Sequence, residues 1–306
     1  MRSSLAVTGL GMVTPVGYNT AQACAALRAG IVQFEEFKGI VNCYGEPVIV
    51  SQIQGLGSIK RSRLERTQRI GVATCQEALK SLSGQNVYRC PFHLSVLVNE
   101  SERPGNLLQL DDKLVQRIIL EAGLPSSTHI RFYPYGHAAG MKALQDAQRR
   151  MAYDPSTIEF IWGLDSLLAV KTLAYLEKME RLKGPEHPRG VIPGEASVCL
   201  VLQAENQAQR SMCQVVGVGV ATEEVTVHSE DEPCLGAGLT TAIYAGLEQA
   251  GWSKEEVTQV YCDLNGEVYR AHEWMLALCR TLDDPQVTHP ADCIGDVGAA
   301  SAPLLI

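Results

Sequence analysis

A histidine stands where a turn passes into a helix in the segment YPYGHAAGMKAL, residues 133–144. Tyr135-Gly136-His137 is typical of a sharp turn, and the small residues that follow are typical of the first turn of a helix. A reactive side chain held at such a junction faces the positive end of the helix dipole, which stabilises a thiolate or a developing oxyanion. His137 is therefore the first candidate for chemistry, at a position that suits a nucleophile.

The segments that position His137 alternate between strands and helices. The pattern predicts strands at 5–9, 93–98, 130–133, 159–163 and 196–202, and helices at 21–29, 63–82, 111–122, 138–151 and 167–179. Alternation of this kind is typical of a layered α/β architecture, and we expect a largely parallel sheet.

The same alternation restarts after a polar segment at 205–211. The pattern then predicts strands at 215–221 and 257–262, and helices at 239–250, at 269–282 and from 299 onward. We therefore divide the chain into an N-terminal half, residues 1–207, and a C-terminal half, residues 208–306, of similar plan.

Composition excludes several classes of function. The 306 residues carry a net charge of −8 and no Lys/Arg stripe long enough to follow a phosphate backbone, so nucleic acid is not an expected partner. No run approaches the roughly 20 apolar residues of a membrane-spanning helix. The ten cysteines form no CxxC pair, and the N-terminus is not typical of an export signal. We expect reduced thiols, no metal, no cofactor and a cytoplasmic protein.

Several segments, in the right order along nearly the whole chain, resemble the thiolase superfamily and within it the β-ketoacyl-acyl carrier protein synthases. LAVTGLGMVTPVG is similar to the opening strand and loop of ketosynthases, and GHAAGMKAL to the nucleophile segment of thiolases. WGLDSLL, VIPGEASVCLVL and GDVGAASAPLL are similar to later segments of the family. The resemblance implies two similar βαβαβ halves in a five-layer α-β-α-β-α sandwich that is usually dimeric.

The resemblance also implies a catalytic plan from which this sequence departs. Family enzymes attack an acyl thioester with a cysteine, assisted by two further polar residues, His/His or His/Asn. The cysteine position here carries His137. The segment YCDLNG places Asn265 where a histidine is expected, and the ungapped alignment of the last loop places Asp296 where the starter-type asparagine is expected. The elongating-type alignment of that loop gives Gly295 instead.

Two interpretations of the substituted site follow. In one, the catalytic pocket has decayed and His137 is a hydrogen-bonded, partly buried histidine, because an acyl-imidazole hydrolyses too readily to be a good covalent carrier. In the other, His137, Asn265 and Asp296 converge, Asp296 orients the imidazole, and His137 acts as a general base in thioester hydrolysis.

Two cysteines and one polar segment near these positions are further candidates. Cys293 and Cys262 are the cysteines best placed to act as a substitute nucleophile, although a buried, inert thiol is the expectation for each. The polar residues of 263–274 are expected to form the exposed first turn of a helix, and a charged pair at a pocket mouth is the alternative.

The predicted function is that of a non-catalytic ketosynthase-like protein used in binding or assembly. Its degenerate motifs resemble thiolase-like proteins that accompany type VI secretion effectors. The alternatives are an acyl-thioester hydrolase or acyltransferase, and a partner subunit comparable to the chain-length factors. Expected partners are a second copy or another thiolase-like or secretion-related protein, and acyl-CoA or acyl carrier protein. Because synthases continue past the segment that matches 303–306, we also expect an incomplete second half that a partner covers.

Overall fold

The structure, a computed structural model, describes residues 4–55, 63–85, 87–100, 103–104, 110–226, 229 and 232–306. In chain order its elements are β1 (Leu5–Val13), α1 (Thr20–Arg28), β2 (Glu35–Val41), β3 (Pro47–Val50), α2 (Arg63–Lys80), β4 (Phe92–Leu97), α3 (Asp112–Ala122), β5 (His129–Tyr133), α4 (Ala139–Tyr153), β6 (Ile158–Ser166), α5 (Val170–Lys178), β7 (Glu195–Ala204), β8 (Cys213–Val215), α6 (Ala237–Ala250), β9 (Gln259–Tyr261), α7 (Val268–Thr281), β10 (Gln286–Thr288), α8 (Ala291–Ile294) and α9 (Ser301–Leu305). No helix of this described part is long and apolar enough to cross a membrane.

A six-stranded sheet in the order β5-β4-β6-β7-β1-β8 forms the centre of the molecule. β4 pairs in parallel with β5 and β6, whereas β7 is antiparallel to β6 and β1, and β8 is antiparallel to β1. The sheet is therefore mixed: β1, β4, β5 and β6 run in one direction, as a largely parallel sheet requires, and β7 and β8 run in the other. Ser166 pairs with Glu195, so residues 167–194 leave and return at the same end of the sheet, as a hairpin connection does.

Side chains alternate between the two faces of this sheet and bury both. On β6, Phe160 and Trp162 pack with α2 and α3, whereas Ile161 packs with α4. The indole N–H of Trp162 is satisfied within the core because it donates to Ser197 Oγ at 2.9 Å. The sheet thus lies between α2 and α3 on one side and α4 on the other.

Local signals in the sequence placed several helix ends well. Asp111 accepts a hydrogen bond from the Leu114 backbone N–H at 2.8 Å and caps α3, and Gly123 ends that helix in the left-handed conformation. Gly251 ends α6 in the same way. The hairpin of β2 and β3 and the strand β10 were not predicted.

The C-terminal half differs most from expectation. Its described residues form a two-stranded parallel sheet of β9 and β10, with α6 packed on α7. The strand predicted at 215–221 is wrong beyond Val215, because residues 216–221 pair with no strand among the described residues. The division of the chain at residue 207 stays a prediction.

We predict that Gly163→Ala destabilises the fold where β6 meets the turn after Asp296. A Cβ at Gly163 would lie 2.7 Å from the Ala299 carbonyl oxygen and 2.9 Å from Ala300 Cα, so backbone must move. We expect the free energy of unfolding in urea to fall by about 1–3 kcal/mol. Gly184→Ala is the control, because its Cβ would meet nothing closer than 3.7 Å. Equal stability of the two variants would contradict this packing.

Candidate functional site

The elbow predicted from the sequence is present. β5 ends at Tyr133, a single 3-10 turn spans Gly136–Ala138, and α4 begins at Ala139. Gly136 has a φ of +52°, in the left-handed region that favours glycine. The turn holds the His137 side chain inward, with 17% of it exposed.

Two backbone hydrogen bonds hold the main chain of Asp296, independently of the contacts of its side chain. Its N–H donates to the Ile192 carbonyl at 2.8 Å, and its carbonyl accepts from the Gly194 N–H at 2.8 Å. Gly295, with a φ of +68°, supplies the turn that precedes it. The last loop of the chain is therefore attached to the segment that enters β7.

The side chains of His137, Asn265 and Asp296 meet in one hydrogen-bonded group. His137 Nε2 lies 2.8 Å from Asp296 Oδ1, and Asn265 Nδ2 donates to Asp296 Oδ2 at 2.7 Å. The Gly298 backbone N–H also donates to Asp296 Oδ1, at 2.8 Å. Convergence of these three residues was one of the two interpretations of the sequence. Their assignment as family-equivalent catalytic positions, with Asp296 rather than Gly295, stays a prediction.

Arg270 forms a hydrogen bond with the remaining ring nitrogen of His137, Nδ1. Its Nη2 donates to His137 Nδ1 at 3.1 Å, and its Nη1 donates to Asp263 Oδ2 at 2.6 Å. Because a guanidinium has no acceptor, Nδ1 must accept, and the neutral imidazole therefore carries its proton on Nε2, toward Asp296. Neither ring nitrogen of His137 is left to abstract a proton or attack a carbonyl.

Charges around the imidazole act in opposite directions on its protonation. Burial lowers the pKa of His137 and Arg270 lowers it further, but Asp296 and Asp263 outweigh both and raise the pKa above its usual value. A second proton on Nδ1 would face the Arg270 guanidinium, and the carboxylate next nearest to Nδ1 is Glu100, at 4.0 Å.

The same contacts act on the central carboxylate. Burial alone would raise the pKa of Asp296, yet His137 and Arg270 hold that pKa well below its usual range. Asp296 is thus ionised at neutral pH.

Further ion pairs surround the group and were missed by the sequence analysis. Glu267 accepts from Arg181 at 2.5 and 3.1 Å and from Asn265 Nδ2 at 3.0 Å. Asp165 pairs with Arg103 and accepts from the Ala299 N–H at 2.9 Å. The expectation that residues 263–274 form an exposed helix turn is wrong for Glu267, which is buried. Opposite charges far apart in the sequence gave no local signal of pairing.

The two candidate cysteines are poor nucleophiles in this environment. Burial raises the pKa of the Cys293 thiol, and burial likewise raises the pKa of Cys262. Both thiols are therefore protonated at neutral pH.

Open space at the site is small. A cavity of about 20 Å³ lies beside Asn265 and Asp296, and the apolar end of α9, with Leu304 and Leu305, forms part of its wall. This space is enough for about one water molecule.

Among the described residues, one group could supply three metal-ligand atoms. The donor atoms of Glu223, Cys234 and Glu273 lie within 4.8 Å of one another. The Cys234 sulfur also lies 3.7 Å from the Tyr269 hydroxyl, and the Gly238 N–H donates to Glu223. Three donors are one fewer than a structural zinc site takes.

We predict that Asp296→Asn destabilises the protein in a pH-dependent way. The amide would turn an N–H toward the Asn265 amide, whose own oxygen already accepts from the Glu267 N–H at 3.1 Å. Two donors would then face each other, so we expect a loss of about 1–3 kcal/mol at pH 7.

The sign of the pH dependence follows from the two pKa shifts. The lowered pKa of Asp296 contributes stability that is present above about pH 4 and is lost as the pH falls. The raised pKa of His137 contributes stability that is present below about pH 6.5 and is lost as the pH rises through its folded value. The difference between wild type and Asp296→Asn should therefore peak between those limits in urea unfolding. Exposed Asp284 provides the control, Asp284→Asn, and a difference that is flat with pH would argue against the assignment.

We also predict that Arg270→Leu raises the pKa of His137. The guanidinium lowers that pKa and also neutralises Asp263, so its removal shifts the pKa upward. The measurement is an NMR titration of the His137 Hε1 proton. Arg149→Leu, at a side chain that is 71% exposed, should leave the titration unchanged. An unchanged or lowered pKa in Arg270→Leu would refute the contact.

Comparisons with known proteins find similar folds among solved structures, all at low sequence identity. No protein-family model and no curated protein sequence matches the chain. Among solved structures it is similar to the ishigamide ketosynthase/chain length factor, with a TM-score of 0.81 at 17% identity over 99% of this chain and 84% of that one.

Two further solved structures show the same likeness. The ketosynthase of a type II polyketide synthase, in complex with its acyl-carrier protein, aligns with a TM-score of 0.76 at 14% identity, over 98% and 84% of the two chains. The ketosynthase structure from Xenorhabdus doucetiae, in complex with its chain length factor, aligns with a TM-score of 0.75 at 13% identity, over 99% and 82%. The fold predicted from the sequence is confirmed: the chain has the thiolase-like α/β fold of the ketosynthases.

Proposed function

We propose that this protein is a non-condensing ketosynthase-like subunit, which acts by pairing with another thiolase-fold protein rather than by carrying an acyl group. The observation that carries the proposal is the engagement of both His137 nitrogens, by Asp296 on one side and Arg270 on the other. A nucleophile or general base needs a free lone pair, and this imidazole presents none.

The surroundings support the same conclusion. Asp296, at the position expected for an asparagine, is ionised and accepts hydrogen bonds from His137, Asn265 and Gly298. A fixed negative charge there would repel the enolate and oxyanion that thioester chemistry creates. Because the pKa values of the Cys262 and Cys293 thiols are raised, neither residue supplies a substitute thiolate.

The role as a partner subunit rests on the structural relatives. The ishigamide protein is a ketosynthase/chain length factor, and the Xenorhabdus ketosynthase is in complex with its chain length factor. A chain of this fold without a competent nucleophile fits the second role in such a pair. Dimeric assembly, a contact with acyl carrier protein and the association with type VI secretion that the sequence resemblance implies are further predictions.

A thioester hydrolase is the second candidate, and one observation favours it. His137 Nε2 lies 2.8 Å from Asp296 Oδ1, and in an acid–base pair a carboxylate in this position orients the imidazole while the other ring nitrogen takes the proton. Proton abstraction requires a free Nδ1, so Arg270 would have to leave its contact with His137 during turnover. This candidate therefore predicts catalysis only after Arg270 moves.

We predict that the protein forms no covalent adduct with acetyl-, malonyl- or longer acyl-CoA. Intact mass spectrometry should show an unmodified chain, and the release of free CoA should equal that of His137→Ala. A mass gain or a CoA release that disappears in His137→Ala would overturn the proposal and establish the enzyme. An adduct that survives in His137→Ala would direct attention to Cys262 or Cys293.

A further inference from the structure

The ring nitrogen Nδ1 of His137 has both a hydrogen-bond donor and a carboxylate close to it. Arg270 Nη2 donates to Nδ1 at 3.1 Å, and Glu100 Oε1 lies 4.0 Å from it. The donor belongs to α7, whereas the carboxylate belongs to the segment that follows β4. Because a lone pair accepts and an N–H donates, the protonation state of Nδ1 decides which of the two groups it can bind.

The neutral imidazole binds Arg270. Its proton is on Nε2, which lies 2.8 Å from Asp296 Oδ1, and the lone pair of Nδ1 accepts from the guanidinium. In this state the hydrogen bond from Arg270 connects the elbow to α7.

The charged imidazolium cannot keep that hydrogen bond. Both ring nitrogens then carry a proton, so two N–H donors and two positive charges would face each other across 3.1 Å. Arg270 has other partners to hold it, since Asp263 Oδ2 accepts from its Nη1 at 2.6 Å and Glu267 Oε2 lies 3.6 Å from its Nε. The guanidinium therefore stays with the loop after β9 and with its own helix, and the elbow loses its contact with α7.

Glu100 is placed to accept from the new N–H. Its carboxylate lies directly against Gly136 of the elbow, where the Cβ of any other residue would overlap it. The Glu100 side chain is 49% exposed, so it has room to rotate and to close the distance to Nδ1. Its main chain is held in place, because its carbonyl accepts from Asn99 Nδ2 at 2.7 Å.

The charged groups around the imidazole come from four segments of the described chain. They are Glu100 and Arg103 after β4, Asp263 in the loop after β9, Arg270 on α7 and Asp296 in the last loop. Carboxylates near an imidazole favour its charged form, and guanidinium groups oppose it. Burial and Arg270 lower the pKa of His137, yet Asp296 and Asp263 raise it above its ordinary value of 6.5, so the change of state lies above that pH.

We infer that His137 is a proton-operated switch, which binds Arg270 of α7 when the imidazole is neutral and the Glu100 carboxylate when it is charged. Protonation thereby transfers one contact of the elbow from α7 to the segment after β4, while the contact with Asp296 is kept in both states. The imidazolium has no lone pair, so the side chain is closed to chemistry in either state. The inference rests on the proposed function, in which both nitrogens of His137 are engaged, and it names the proton as the regulator of that site.

The test follows three nuclei by NMR while the pH of the wild-type protein is varied: His137 Hε1, the side-chain carboxyl carbon of Glu100 and Arg270 Nε. We expect the Glu100 and Arg270 signals to change at the midpoint of the His137 titration. Glu100→Gln keeps the size of the side chain and removes its charge, so it should lower the pKa of His137. Glu248→Gln, at an exposed residue of α6, is the matched control and should leave that pKa unchanged.

Either of two results would overturn the inference. One is the same pKa of His137 in Glu100→Gln and in Glu248→Gln, which would show that the carboxylate does not bind the imidazolium. The other is an Arg270 signal that stays constant through the His137 midpoint, which would show that the guanidinium does not leave Nδ1. The titration needs no substrate, so an acyl-CoA adduct would refute the proposed function without deciding which groups bind Nδ1.

Discussion

The Asp296 carboxylate is the constraint on which the centre of this molecule depends. It is nearly buried, and it accepts from His137 and Gly298 at one oxygen and from Asn265 at the other. Its main chain is bonded to the segment that enters β7. A buried carboxylate is tolerated only when it is fully hydrogen-bonded, so Asp296 fixes the elbow, the loop after β9 and the last loop relative to one another.

This arrangement is the basis of our proposal that a ketosynthase fold is used here without ketosynthase chemistry. At the three positions that the sequence resemblance assigns to reactive groups, the side chains hydrogen-bond to one another, and Arg270 donates to the remaining ring nitrogen of His137. In this proposal the group no longer binds a substrate, and its hydrogen bonds join the elbow, the loop after β9 and the last loop. Such a network adds rigidity and specificity, whereas catalysis needs groups left unsatisfied until substrate arrives.

Sequence reasoning succeeded where the signal was local. The start of α3 near Asp111, its end before Gly123 and the elbow before α4 depend on a few neighbouring residues, and the sequence pattern predicted each of them. The grouping of His137, Asn265 and Asp296 came from family resemblance. The hydrogen bond from Arg270 to His137 was not predicted. The two residues are 133 positions apart, and the residues around Arg270 give no sign of that contact. The direction of β7 was also missed, since alternating strands and helices do not specify which end of the sheet the chain re-enters.

The nitrogen-15 spectrum of the His137 ring tests the central claim most directly. Above the pKa of His137, the closed network requires the proton on Nε2 and an Nδ1 that accepts a hydrogen bond, in slow exchange with solvent. That single tautomer, kept in the folded protein over the alkaline range, is the result that our account predicts. A proton on Nδ1, or two tautomers that average rapidly, would show that Nε2 is free and that the site is open for chemistry.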